Sequence, residues 1–214
     1  MATGARAGRK RRPYAARVPA EQRRAQLLDA ALHLIVTQGH NAVTMEAVAE
    51  QVGVTKPVVY GVFANRADLL AALLRREQQE GLEQLLSVLP ERFDEHEEPA
   101  RLIAQALDRF LQAVRDAPER WYCIVMPMAD MPVEFHTARE QARAVALARA
   151  EDMTRRLLGV LGAAPGLDPE IAAHTLVTVF EMAARLVLTD PDHFHPTRFT
   201  TTIHATLATP TQTA

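Results

Sequence analysis

Cysteine is nearly absent from the chain. The single residue, Cys123, excludes an internal disulfide framework and makes a cytoplasmic setting the expectation. Aromatic residues are only 5% of the composition, while Ala and Leu abound, a balance that favours helices over sheets. Lysine is scarcer still: of 24 basic residues only Lys10 and Lys56 are lysines. No window holds eighteen uninterrupted apolar residues, so neither a transmembrane helix nor a membrane partner is expected. No apolar stretch follows the basic N-terminus, so a secretory signal is not expected either. Catalytic signatures are missing as well. There is no Gly-rich phosphate loop, nucleophile elbow, zinc-protease His pair or Cys cluster, so no catalytic residue, cofactor or metal is assigned. His193, His195 and His204 have no Cys or Glu at ligand spacing, and the first two sit between Pro191 and Pro196; they read as a surface loop. Cys123 has only Arg120 as a nearby positive charge, so it reads as a small buried hydrophobe rather than a redox sensor.

What is present begins with charge. Residues 1–66 hold ten Lys or Arg against four Asp or Glu, a balance of +6, and the remainder carries 14 against 22, a balance of −8. A basic head on an acidic body is the footprint of a DNA reader with a separate non-DNA body. Within the head, residues 44–63 read as two short helices around a tight turn. Thr44 is placed to cap the first, and Met45, Val48, Ala49 and Val52 form one apolar face at i, i+3, i+4, i+7. Gly53 stops that helix where a left-handed backbone is cheap. Thr55 is the expected cap of the second helix, with Pro57 tolerated in its first turn. Lys56, Pro57 and Tyr60 then point outward while Val59 and Phe63 face inward. This is the helix-turn-helix pattern, whose second helix enters the major groove and meets base edges with its first residues.

The run Val-Ala-x-x-x-Gly-Val-Thr-x-x-x-x-Tyr-x-x-Phe-x-Asn-Arg-x-x-Leu-Leu, from Val48 to Leu70, resembles the DNA-binding domain of the TetR (tetracycline-repressor) family. The similarity covers roughly Glu21 to Leu74, about a quarter of the chain, and rests on the joint spacing of Gly53, Tyr60, Phe63 and Leu69-Leu70. Two positions depart: Val62 stands where many members carry His or another backbone-contacting residue, and Arg66 stands where Lys is usual. The resemblance implies that the positions of Lys56, Pro57 and Tyr60 meet DNA. With Thr44 and Thr55 as caps and secondary phosphate donors, and Asn65 and Arg66 completing the motif, these seven form the candidate DNA-contacting set. The resemblance also implies a palindromic double-stranded operator, a homodimer, and a small-molecule effector bound around the fifth to seventh helices.

The rest of the chain reads as helices. Residues 1–18 lack apolar period and read as a disordered basic arm, with Arg9-Lys10-Arg11-Arg12 either solvated or lying along phosphates. A first helix from Pro19-Ala20-Glu21 buries Leu28, Ala31, Leu32 and Ile35 and ends at Gly39. A fourth begins at Asn65 with Asp68 as a reciprocal cap and runs out of the head past Gly81, which either loosens it or is a costly interior glycine. Pro90 to Pro99 reads as a loop. The fifth helix presents Ile103, Ala106, Leu107, Phe110, Leu111 and Val114 on one face. Trp121 to Met131 is an apolar cluster that either lines a cavity or is ordinary core, broken by Pro127. Phe110, Trp121, Tyr122, Val125 and Met128 are its candidate ligand contacts, for a ligand more apolar than phosphorylated. The seventh helix is expected over Val133 to Leu161. The eighth starts at Asp168-Pro169-Glu170 and is apolar on nearly every side from Ile171 to Leu188, so one face is expected to meet a partner subunit. The ninth lies near Thr197 to Ala208.

The expected architecture is therefore all-α: a basic arm (1–18), a three-helix head (19–66), a larger effector-binding and dimerising body (67–209) and a tail (210–214). The expected function is sequence-specific transcriptional regulation, a dimeric repressor released by a small, mainly apolar ligand. Two other readings stay open: a ligand-binding or catalytic helical protein with a vestigial head, and a non-specific DNA-coating protein driven by the basic arm.

Overall fold

The computed structural model describes residues 18–88, 98–127, 131–161 and 166–207. The basic arm, most of the acidic loop, Met128 and the tail lie outside them. Among the described residues every regular element is helical and no strand occurs.

In the head, α1 (Ala20–Gln38) stops at Gly39, whose φ of 85° suits a residue without Cβ. A single 3-10 turn, His40–Ala42, follows; the sequence pattern gave no sign of it. The helix α2 (Met45–Val52) opens with the Thr44 hydroxyl accepting from Ala47 N–H at 3.0 Å and closes at Gly53 with φ of 72°. The next helix, α3 (Lys56–Tyr60), has Thr55 at its cap position, but the Thr55 side chain makes no capping bond there. That corrects the capping role expected of Thr55 and leaves its hydroxyl exposed. Val59 and Phe63 are fully buried against Leu27, Ile35, Val48, Leu69 and Leu73. Each such side chain contributes about 1.5–3 kcal/mol, and together they fix α3 on the head.

The long helix α4 (Arg66–Val88) starts with the reciprocal cap that Asn65 and Asp68 suggest. Asn65 Oδ1 accepts from Asp68 N–H at 2.9 Å, and Asp68 Oδ2 accepts from Ala64 N–H at 3.1 Å. Leu69, Leu70, Ala72 and Leu73 belong to the head's core, so the packing seam lies inside α4 rather than at residue 66. Gly81 is a point of close approach: a Cβ there would meet Ile124 Cδ1 at 2.7 Å.

The body consists of α5 (Pro99–Asp116), α6 (Pro118–Val125), α7 (Val133–Leu161), α8 (Pro169–Thr189) and α9 (Pro196–Leu207). Pro118 sits in the first turn of α6, and the helix ends at Val125, two residues before Pro127, which cannot continue it. A second core gathers Leu107, Phe110, Leu111, Val114, Trp121, Val125, Ala183, Ala184 and Val187. The Phe110 ring meets Trp121 edge-on at 4.9 Å and Phe180 at 5.5 Å.

Asp168 caps α8 by accepting from the Glu170 and Ile171 N–H groups. Its buried positions are Ala173, Ala183, Ala184 and Val187, whereas Ile171 is 63% and Met182 45% exposed. Burial on several faces is thus not reached within one chain. By length and composition alone this helix is apolar enough to cross a membrane, a test that the core helix of a soluble protein also passes. Two of its charged residues are committed inward: Glu181 accepts from Arg143 at 2.8 Å, and Arg185 donates to the Val125 carbonyl.

Candidate nucleic-acid interface and body cavity

The exposed surface of the helix-turn-helix follows from its buried side. With Val59 and Phe63 locked inward, the 3.6-residue period turns Lys56, Pro57 and Tyr60 out, and Tyr60 is 51% exposed. Val58 is exposed beside them. Lys56 is not idle: its Nζ lies 3.0 Å from Glu46 Oε2 on the first turn of α2. That hydrogen bond, then the carboxylate's charge, raises the lysine pKa, so Lys56 stays fully cationic. Glu46 is an acid in the first turn of α2, and no local sequence pattern pairs positions ten apart.

Two candidates have other duties. Arg66 turns into the fold, donating from Nε to the Val43 carbonyl at 2.6 Å and from Nη2 to the His40 carbonyl at 2.9 Å. These bonds satisfy the end of the 3-10 turn, so part of its donor capacity is spent inside the head. Asn65 spends its side-chain oxygen on the cap of α4, leaving its amide hydrogens exposed. Arg24, on α1, stacks over the Phe63 ring at 4.7 Å and braces the same seam. His40 is buried beneath Arg66, and burial, then the guanidinium charge, lowers its pKa, keeping the ring neutral.

In the body, a cavity of about 380 Å³ lies between α4, α5, α6, α7 and α8. Phe110, Trp121 and Val125 line it as the sequence suggested. Tyr122 does not; Trp121, Ile124 and Val125 occupy the cavity face at i, i+3, i+4, and Tyr122 is rotated off it by one residue's 100°. Met128 lies outside the described residues. The walls hold residues that sequence reasoning passed over. Arg139 and Arg143 sit on the cavity face of α7, and Glu181 and Arg185 on that of α8. A signal existed: positions 139, 143, 146, 150, 153 and 157 form one stripe along α7, hidden by its many other alanines and arginines. Cys123 also faces the cavity; burial, then Glu77 and Glu119, push its thiol up from 9.0 to about 12, which keeps it an unreactive thiol.

Leu32 and Ile35 of the head contribute to the cavity wall, and Phe135 at the start of α7 meets His40 edge-on at 6.0 Å. The body cavity and the head therefore share a boundary.

A sequence model described as bacterial regulatory proteins, tetR family, matches residues 27–73. Over 60 residues the chain is 42% identical to the HTH-type transcriptional activator FasR of Mycolicibacterium smegmatis, a match covering 28% of this chain and 27% of that protein. The chain thus spans only about a quarter of that relative's length in the aligned region. Solved structures resemble the whole fold. The transcriptional regulator FadR of Bacillus subtilis, in complex with stearoyl-CoA, superposes with a TM-score of 0.65 at 14% identity, covering 86% of this chain and 96% of that one. AibR, in complex with isovaleryl coenzyme A and operator DNA, superposes with a TM-score of 0.60 at 18% identity, covering 76% and 86%.

Proposed function

We propose, from the match of residues 27–73 to the tetR family of bacterial regulatory proteins, that the chain is a dimeric, sequence-specific transcriptional regulator, a repressor released by a small, mainly apolar ligand. The observation that carries this is the outward Lys56-Pro57-Tyr60 surface held by the buried Val59 and Phe63. Lys56 can donate to guanine acceptors or phosphate, Tyr60 to phosphate or against a thymine methyl, and the exposed Thr44 and Thr55 flank them as phosphate donors. Two heads paired through α8 would read palindromic half-sites about 34–36 Å apart or a multiple of that.

The cavity supports the ligand. Its lining is mostly aliphatic, and the resembling FadR and AibR structures hold acyl thioesters of coenzyme A. An occupant that fits the released arrangement better than the DNA-bound one shifts the equilibrium by the ratio of its two affinities. Because FasR is named an activator, activation is the second reading.

Selection of bound sequences from a random duplex pool at physiological salt tests the proposal, with the Lys56→Ala/Tyr60→Ala variant alongside. An enriched palindrome that vanishes in the variant is the expected result. Equal binding of all duplexes by both proteins would replace it with the coating reading. A reporter placed behind the selected operator then separates repression from activation by the sign of its response.

A further inference from the structure

We propose that the ligand of the body cavity is an anionic amphiphile bound in a fixed direction, its negative group on Arg139, Arg143 and Arg185 and its chain between α4, α5, α7 and α8. The inference deepens the effector reading above and rests on the cavity being that site.

The direction comes from how polarity changes along the walls. On α7 the cavity stripe begins with His136, Arg139 and Arg143 and continues as Ala146, Ala150, Met153, Thr154 and Leu157. On α8, which returns alongside α7, the stripe runs from Arg185 and Glu181 to Phe180, Val177 and Leu176. Both helices place charge at one level of the cavity and apolar surface beyond it. Facing that apolar portion, α4 supplies Leu82 and Leu85, and α5 supplies Leu102, Ile103, Ala106 and Phe110. From Arg143 to Leu157 the helix rise alone gives a run of about 21 Å, the length of an extended chain rather than of a compact ring.

The sign comes from the partners. Arg139 donates to the Met126 carbonyl at 3.0 Å and Arg185 to the Val125 carbonyl at 3.3 Å, and carbonyls cancel no charge. Among the described residues Arg143 alone of the three is paired, with Glu181. Glu140 also faces the cavity and is exposed to solvent. A third lining carboxylate, Glu77, is held by Arg76 and Arg120, so among the described residues the three guanidiniums face only Glu140 and Glu181, which leaves this level positive. Guanidinium binds carboxylate and phosphate oxygens through two parallel hydrogen bonds, and such bonds strengthen away from water.

A carboxylate and the phosphates of a thioester carrier share this chemistry, and calorimetry on the full chain without DNA distinguishes them. Laurate, dodecanol and lauroyl-CoA are titrated into wild type, Arg139→Gln, Arg143→Gln and Arg143→Glu, each checked for helicity. We expect at least one of the anionic ligands to bind about tenfold or more tightly than dodecanol, with that advantage lost in the Gln variants. The tighter of laurate and lauroyl-CoA then identifies the source of the charge. Arg143→Glu is expected to reject both anions and accept dodecyltrimethylammonium, a reversal that a merely structural arginine would not produce. Dodecanol binding as tightly as both anions in wild type, or no binding by any of the three, overturns the proposal. These affinities are read without an operator, so their failure leaves the regulator reading standing, and failure of duplex enrichment leaves the ligand result intact.

Discussion

Single side chains decide how strongly the head is held and how it meets a duplex. Glu46 sets a carboxylate beside Lys56 on the surface proposed to face phosphates. It both occupies the lysine and adds a repulsive charge. Glu46→Gln is therefore expected to tighten binding to any duplex and to steepen the slope of log K against log salt by about one phosphate's worth. Weaker binding in the variant would show that Glu46 positions Lys56 instead. His40 makes a pH prediction. Its folded pKa lies below 6.5, so as pH falls below that value the unfolded chain takes up the proton first. Stability is then full above pH 6.5 and declines below it as protonation favours the unfolded state. Urea midpoints at pH 7.5 and 5.5 should differ more in wild type than in His40→Phe; equal differences would remove His40 from the account. Both residues illustrate the limit of reading at this scale. Thr44 and Gly53 act through neighbours within four positions, so the sequence displayed their roles. Arg66 and Lys56 found partners 23 to 26 and ten positions away, which no local pattern encodes.

At the scale of elements, α6 ties the cavity to the head. Arg120 pairs with Glu77 and Glu80 of α4, Glu77 pairs with Arg76, and Arg76 reaches Asp29 of α1 at 2.6 Å. His33 of α1 meets Glu119 at 2.6 Å, and Trp121 Nε1 donates to Gln84 on α4. Glu77 is the buried centre, facing two guanidiniums. Glu77→Gln is expected to cost about 3 kcal/mol, since removing one partner strands buried charge, and urea unfolding would read it. A loss under about 1 kcal/mol would mean that water and the outer carboxylates Asp29 and Glu80 compensate. The helices themselves were legible because their apolar faces, prolines and caps repeat at helical spacing: Val133 to Leu161 and the start of α8 at Pro169 match the expected bounds. The ionic seam was not, because charged residues at α4 positions 76, 77 and 80 look like a solvated interval until α1 and α6 close over them. The same closure makes Gly81 a contact rather than a hinge, with Ile124 standing where a Cβ would go.

At the scale of the molecule, the described chain leaves α8 incompletely packed. A twenty-one-residue helix as apolar as α8 should bury more than one face, yet Ile171 and Met182 stand in solvent while Ala183, Ala184 and Val187 are packed inside. A second copy is the occupant proposed here, because a palindromic reader needs paired heads and a two-fold interface uses the same patch twice. The interior charges Glu181 and Arg185 stay with α7 and α6, so the outer face can close on an identical helix without burying unpaired charge. Met182→Arg puts one guanidinium from each copy into that seam. It is expected to convert the dimer to a monomer in light scattering while leaving helicity unchanged. It should also weaken binding to a full palindrome by about 100-fold or more while sparing a half-site, since two linked heads gain from effective concentration and single heads do not. A variant that remains dimeric would place the partner interface elsewhere, and a wild-type monomer that still selects palindromes would show that the heads meet only on DNA.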